Sequence, residues 1–508
     1  MEDNKNTPGW HDPRLDAFQA KWARVDAVLG GTDAMREAAE QYLPQYPAED
    51  DDNYKDRLSI STLFPAYEDT LKGITGMIFR KPVKLGENVP QAIRALWDDI
   101  DLMGTHGEVF AQRLAFQGLH RGAAYVLVDQ QTLPEDIVDA AQAKALNLRP
   151  YAIRYDATNL AQLPRFVAIN GKKTLQQIVF RESVEVEDGD FGTATVERAR
   201  VWRLPVAQDA AGRMQRTGGV EWQTWEERET GERLPNGTKK TEWVITGQGQ
   251  TRLQEIPVAI FNASPDPDDD TRFRGPVCDE MAHAVIEFFQ LKSEQRKVLR
   301  RCVPVPYTVN LDKDAREAVV QSWGPDNLLH CDEGGTVAFA EPQGVSLEAR
   351  RLTMADVKQE IQDLGLSLVV EKAPTSNTSA TKERLDMQTR SSRLSDIARA
   401  LKDALDTMLY HFAAWLGETN GGTVELGVKD VDLILTAQDI AALNTMAKDG
   451  NLSLRTVWAI VARGGWMPDD FKAETELQQI AEEHRTVQPV QAVSAAQPIQ
   501  IAAAGGVN

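Results

Sequence analysis

Residues 351–416 read RLTMADVKQEIQDLGLSLVVEKAPTSNTSATKERLDMQTRSSRLSDIARALKDALDTMLYHFAAWL, two helical patterns around a polar break. Met354, Val357, Ile361, Leu364 and Leu368 step by three and four, which predicts one apolar helix face. The pattern stops at Glu371–Thr381, EKAPTSNTSAT, where Pro374 ends a helix and small polar side chains bury too little surface to hold one shape. A second stripe, at Leu394, Ile397, Leu401, Leu405, Met408, Phe412 and Trp415, predicts a longer helix. Its front is basic: Lys382, Arg384, Arg390, Arg393, Arg399 and Lys402 outnumber Glu383, Asp386 and Asp396. A plain helical hairpin has the same spacing, so this stretch fixes local structure and leaves function open.

The segments upstream narrow the choice. Arg274–Arg301 is another helical pattern, with Pro276 suited to its first turn, Asp279 and Glu280 near its positive end and Lys297, Arg300 and Arg301 near its negative end. Pro304 and Pro306 end it. Val303–Glu341 then reads as a small unit of short strands, a charged helical piece and turns. The predicted order is long helix, small mixed module, long helix, polar loop, long helix.

This order resembles the portal proteins of tailed bacteriophages, in which stem helix, clip, stem helix, tunnel loop and tunnel helix follow one another. The wording resembles a siphophage portal subgroup catalogued as a domain of unknown function. Four stretches carry the likeness: Thr70–Pro82 (TLKGITGMIFRKP), Gly107–Asp129 (GEVFAQRLAFQGLHRGAAYVLVD), Ile256–Asn262 (IPVAIFN) and Ser376–Leu416. The resemblance covers about Leu58 to Leu435, most of the chain.

The resemblance implies an α+β portal-type fold with a definite division of the chain. A wing would cover 1–275, with its β-rich part at 149–262, followed by a stem helix at 276–303 and a clip at 304–346. A second stem helix at 347–370, a tunnel loop at 371–381 and a tunnel helix at 382–417 would come next. A wing strand within 418–438, a crown at 439–484 and a flexible tail at 485–508 would complete it. Lys372, Thr375, Ser376, Asn377, Thr378 and Ser379 would face DNA from the loop, with Lys382 and Arg384 as its basic shoulder. Tyr307, Asp312, Lys313, Trp323 and Asn327 would serve docking at the clip.

By the same likeness the chain would form a cyclic homo-oligomer of about twelve copies at one capsid vertex. It would nucleate capsid assembly with the major capsid and scaffold proteins. It would dock the terminase large subunit, pass double-stranded DNA without reading its sequence, and later seat a head–tail adaptor or connector. The protein would be a virion component assembled in the host cytoplasm, with no enzyme activity, no cofactor and no membrane partner. The dimensions allow this: about twelve helices about 10 Å apart place their axes on a ring roughly 38 Å across, leaving about 28 Å after helix thickness is removed.

Length and composition agree with a folded, multidomain protein. The chain has 508 residues, 26% charged and 42% hydrophobic, which suggests roughly three domains. No apolar run approaches the ~20 residues of a bilayer span, and the start MEDNKNTPGW is acidic and polar, unlike a signal peptide. Cys278, Cys302 and Cys331 cannot all pair and lack metal spacing, so a reducing compartment is expected. The net charge of −20 argues against a broad nucleic-acid grip. It suits a conduit, where each neutralised phosphate adds drag.

Elsewhere the expectations are coarser. Met1–Asn53 reads as a helical lead-in closed by the acidic run Glu49–Asp52. Ala123–Val128 reads as a buried strand behind a helix whose last turn is flanked by Gly118 and Gly122. Arg149–Asn262 alternates in the manner of one antiparallel sheet, with Trp202, Trp222, Trp225 and Trp243 packing its face. Asp439–Glu483 reads as helical with a break near GGWMP, and the tail from His484 is of low complexity.

No chemistry is signalled. There is no GxxxxGK[ST], and Gly247 and Gly249 lack the third glycine and the helix of a dinucleotide loop. Asp266, Asp268 and Asp270 begin like a calcium loop, but Thr271 and Val277 occupy its glycine and glutamate positions. His330 and Cys331 are neighbours that a strand would point to opposite faces. Two rivals stand beside the portal reading: another scaffold or minor head protein, and a metal-dependent nuclease with a helical accessory domain.

Overall fold

Gly122 is the hinge on which the central sheet is entered. The helix Gly107–Arg121 starts where His106 caps the Glu108 amide at 3.2 Å, and it ends because Gly122 turns to φ +95°, a conformation that disfavours other residues. The chain then passes straight into the strand Ala123–Gln130, whose first six residues are buried. This strand lies between Pro150–Asp156 and Val258–Asn262, antiparallel to both. Gly118 leaves room for the Phe261 ring: a β-carbon there would lie 2.3 Å from it.

The computed structural model describes residues 5–131, 147–233, 239–301, 305–309, 336–340, 345–369, 380–427, 437–463, 466–467 and 471–487. They fall into two units, Met1–Val428 and Lys429–Asn508. The first mixes helices with antiparallel sheets, as the expected α+β class requires.

The β-rich region divides into two larger sheets and the small hairpin of Val206–Gln208 with Met214–Arg216, where a single sheet was expected. Val258–Asn262 belongs to the three-stranded sheet, while a five-stranded sheet runs in the order Lys239–Gln250, Glu221–Arg233, Gly192–Arg203, Lys172–Asp188, Arg165–Ile169. One core joins them: Tyr125, Leu127 and Val258 from the first pack with Ile178, Phe180 and Trp202 from the second. The four tryptophans also divide, because side chains alternate along a strand. Trp202 pairs directly with Trp222 on the shared core, whereas Trp225 and Trp243 pack the opposite face with Val179, Ala199 and Val201.

Three long helices follow the sheets. Asp279–Arg301 and Val345–Val369 pack on each other, and between them Val305–Val309 pairs with Thr336–Ala340 as an antiparallel ladder. Ala380–Leu416, 37 residues long, packs along Val258–Asn262. The expected boundaries shift by a few residues. Pro276 stands ahead of the first long helix, outside its first turn, and Cys302 and Pro304 lie outside the described residues. The second helix begins at Val345, two residues before 347, and the third at Ala380, two before 382, so the ends of the expected clip and loop are helical.

Within 418–438 the described strand is Val424–Glu425, paired with Lys84–Leu85. The second unit contains helices Ala437–Lys448, Leu454–Arg463 and Ala473–Val487, the last running beyond the expected tail boundary at His484. Val457 and Val461 are buried in this unit, and Trp458 meets Phe471 edge-on at 6.0 Å.

The predicted stripe of the longest helix is buried as expected: Leu394, Ile397, Leu401, Leu405, Met408 and Phe412 all lie inside, and Trp415 donates its indole N–H to the Val128 carbonyl at 2.7 Å. Leu401→Asp should therefore place an uncompensated carboxylate in the core. A loss on the order of 3–5 kcal/mol is expected in urea unfolding; a loss within about 0.5 kcal/mol, the range of a surface change, would contradict the packing.

Candidate functional site

The feature with functional promise is the paired-helix module that carries the two-stranded ladder. Its two long helices run antiparallel, as successive contacts demonstrate. Arg350 meets Glu294 at 3.0 Å, and Gly365 lies beside Met281, where a β-carbon would come within 3.3 Å of the Met281 methyl and 2.9 Å of the Thr70 hydroxyl. Between these points Lys358 sits 5.6 Å from the centre of the Phe64 ring, which in turn contacts Phe288.

A buried ionic cluster anchors this pair. Glu49, part of the acidic run read as the end of a lead-in, accepts from Arg57 Nε at 3.0 Å and Nη2 at 2.7 Å, and Lys297 of the first long helix also donates to it. Arg57 and Glu49 are both almost wholly buried. Arg57 also donates to the Pro44 carbonyl at 2.7 Å and lies 4.6 Å from the centre of the Tyr46 ring, whose hydroxyl donates to Glu294. Sequence reasoning missed this cluster, because a short acidic run looks the same whether its members are solvated or paired. The neighbouring Asp50 does what such a residue usually does, capping Asn53 at 2.8 Å.

The outer side of Val345–Val369 is polar. Val357, Ile361 and Gly365 turn inward, while Asp356, Gln359, Glu360 and Asp363 form an exposed row around a shallow cleft. On Ala380–Leu416 two basic residues bind near neighbours: Arg399 pairs with Asp396 at 2.6 Å and Lys402 with Asp406 at 2.5 Å.

Most of the expected contact residues cannot be brought together from the described residues. Lys372, Thr375, Ser376, Asn377, Thr378 and Ser379 lie outside them, as do Asp312, Lys313, Trp323 and Asn327. Tyr307 falls in the strand Val305–Val309, and Lys382 and Arg384 in the first turns of Ala380–Leu416.

Two buried polar clusters elsewhere have the residue types of catalytic sites, and the structure gives each a structural role. Arg200 meets Asp129 at 2.8 Å and Glu182 at 2.9 Å, and the Tyr155 hydroxyl donates to Glu182. Burial pushes the Asp129 carboxyl up, while Arg200 opposes the rise. His120 lies 3.1 Å from the Tyr67 hydroxyl and 3.0 Å from Asp26, which Arg121 also meets at 2.7 Å. This chain of contacts has the outline of a catalytic relay, but its outer member Tyr67 is wholly buried. His411, buried against the Val258 backbone, is lowered to about 4 by burial.

The aspartates read as a failed calcium loop form the hairpin of Pro265–Asp266 with Asp269–Phe273, where Lys173 meets Asp269 at 2.8 Å. Cys278 is buried, and burial pushes its thiol up to about 12. Among the described residues, no group of three or more His, Cys, Asp and Glu is placed to hold a metal, and no helix is long and apolar enough to cross a membrane.

Residues 278–416 match a family described as a domain of unknown function, DUF4055. The match begins one residue before the first long helix and ends with the last residue of the longest. No curated protein matches the sequence. Among solved structures, a chain from the virion of a native gene transfer agent particle is 12% identical with a TM-score of 0.38, covering 82% of this chain and 89% of that one. Chains from the neck of the empty particle, computed with C6 symmetry, and of the native particle, computed with C12 symmetry, are also 12% identical, with TM-scores of 0.38 and 0.40. The first of these covers 82% of this chain and 89% of its own, the second 79% and 90%. Values at this level do not establish a shared fold.

The ionic cluster gives a stability prediction with a defined sign. Hydrogen bonding from Arg57 lowers Glu49 from its usual 4.5 to about 2. The stabilisation from that shift is complete above pH 4.5 and is lost as pH falls towards 2. Arg57→Met should cost up to about 3–5 kcal/mol at neutral pH, because the buried Glu49 carboxylate then keeps only Lys297 as its cationic partner. Glu49→Gln should flatten the acid limb of a melting-temperature profile between those two pH values; an unchanged limb would mean that Glu49 is not held by the pair.

Proposed function

We propose that this chain is a structural subunit of a phage head or neck, and more finely a portal protein that forms a ring and conducts double-stranded DNA. The observation that carries the reading is the paired-helix module itself: two antiparallel helices of 23 and 25 residues, joined through a two-stranded ladder and followed by a 37-residue helix packed on a sheet. At 1.5 Å per residue the paired helices are about 35 and 38 Å long. That suits the wall of a tall channel.

In this reading Asp279–Arg301 and Val345–Val369 are the stem, the ladder belongs to a clip that docks the terminase and later the adaptor, and the helix Ala380–Leu416 carries the tunnel loop. The exposed row Asp356, Glu360 and Asp363 favours sliding over gripping, because carboxylates do not neutralise phosphates. Lys382, Arg384 and the polar loop Lys372–Ser379 would then supply few and weak DNA contacts. The protein's work is mechanical, and the packaging motor that hydrolyses nucleotide is a separate protein.

Purified full-length chain should assemble without added cofactor into closed rings of about twelve copies, seen as a single high-mass species by native mass measurement and as rings with a central hole by negative stain. A monodisperse monomer at micromolar concentration would sink the reading, and metal-dependent cleavage of plasmid DNA by the pure protein would favour the nuclease instead. Deleting Pro374–Ser379 should leave rings intact while DNA packaging or retention falls, and Lys382→Ala should change stability by about 0.5 kcal/mol or less. Rings that fail to form after either change would make this segment a subunit contact.

A further inference from the structure

Two features at opposite ends of the five-stranded sheet complement each other. The first is a bare finger. Lys172–Asp188 and Gly192–Arg203 stay paired out to Asp188 opposite Gly192, but the neighbouring ladder to Glu221–Arg233 stops at Arg198 opposite Glu226. Beyond that point the hairpin stands as two strands alone, an arrangement that is marginal in water without a surface to pack on. Val184 faces Val196 and Val186 faces Ala194, so beyond the charged pair of Glu182 and Arg198 the face that carries Ile178 and Phe180 in the core becomes apolar again. At the tip Phe191 is fully exposed, at 102% of its reference area, between Asp188, Asp190 and the returning strand.

The second feature is a groove of about 330 Å³ at the other end of the same strands. Lys5, Arg165 and Arg203 line it together with Trp10, Val179 and Trp225, and no carboxylate lines it among the described residues. The larger cleft beside Asp129 is a poorer match, because its Arg198 and Arg200 already face Glu226, Asp129 and Glu182. Gln177 lines the groove and Asp188 ends the strand, so at 3.3 Å per residue about 36 Å of strand separates groove from tip. A chain cannot fill its own groove.

We propose that the finger of one copy docks in this groove of the next, Phe191 entering among Trp10, Val179 and Trp225 while Asp188 and Asp190 meet Lys5, Arg165 and Arg203. The occupant is a second copy of this chain because knob and hole are both present on it, too far apart to meet internally and opposite in charge. With a net charge of −20 the copies repel in most orientations, so a local acidic-to-basic match selects one of them. Such a contact is head-to-tail, the type that generates a ring when its rotation closes. The inference rests on the ring reading above and names the surface that would build it.

The test compares assembly of the full-length chain with that of Phe191→Asp, of Asp188→Lys with Asp190→Lys, of Arg165→Glu with Arg203→Glu, and of the four charge reversals combined, using sedimentation and native mass. Each of the first three variants should raise the concentration needed for assembly roughly tenfold or more, and the combined reversal should restore assembly. Circular dichroism should stay at the wild-type signal, and Phe191→Ser is a second variant should aspartate disturb the finger. Wild-type chain that never assembles overturns the ring reading and this interface with it. Rings that form normally with Phe191→Asp, or charge reversals that break assembly without mutual rescue, overturn the interface and leave the ring reading standing.

Discussion

The row Leu394, Ile397, Leu401, Leu405, Met408 and Phe412 is buried along the strand Val258–Asn262, and the rest of the first unit is arranged around that contact. A helix can pack against a sheet only if its apolar positions recur often enough to stay on one side, and this one keeps them there for five turns. The strand it covers is itself held by Ala123–Gln130, which follows directly on the Gly122 turn. The longest helix, the central sheet and the helix Gly107–Arg121 therefore share one positional frame. Gly118 and Gly122 matter because each is approached too closely for a side chain, the first by the Phe261 ring and the second by the Gly275 backbone.

Charge is used inside this protein more than composition suggests. Arg57 and Lys297 are committed to Glu49, and Arg200 to Asp129 and Glu182. Both clusters join elements that are far apart in the chain, the first tying an early helix to the paired-helix module and the second tying the two sheets. A buried ion pair adds little net stability over apolar packing, but removing one partner strands the other, so such pairs constrain which element meets which. Cations held this way do not contribute to a nucleic-acid surface.

The sheet arrangement bears on assembly as well as on folding. Where the two hairpins of the five-stranded sheet part, one continues as a two-stranded finger with an apolar face and an aromatic tip. Single chains rarely leave such an extension uncovered, whereas a chain that repeats around an axis can cover it with its neighbour.

Much of this was legible from residues 351–416 and their surroundings because helical periodicity is a local property. The stripe from Leu394 to Phe412, the alternation of long helices with a short-stranded module, and the buried run Ala123–Val128 behind Gly122 all follow from residues within a few turns of one another. Pairing between distant segments has no such local record. Nothing near Val258–Asn262 marks it as the partner of Ala123–Gln130 rather than as part of the larger sheet. Nothing near Trp225 and Trp243 says that they face away from Trp202 and Trp222, because a strand has two faces and only its neighbours decide which is inside. The same holds for Glu49: its sequence shows an acidic run, and only the approach of Arg57 and Lys297 in three dimensions makes it a buried anchor.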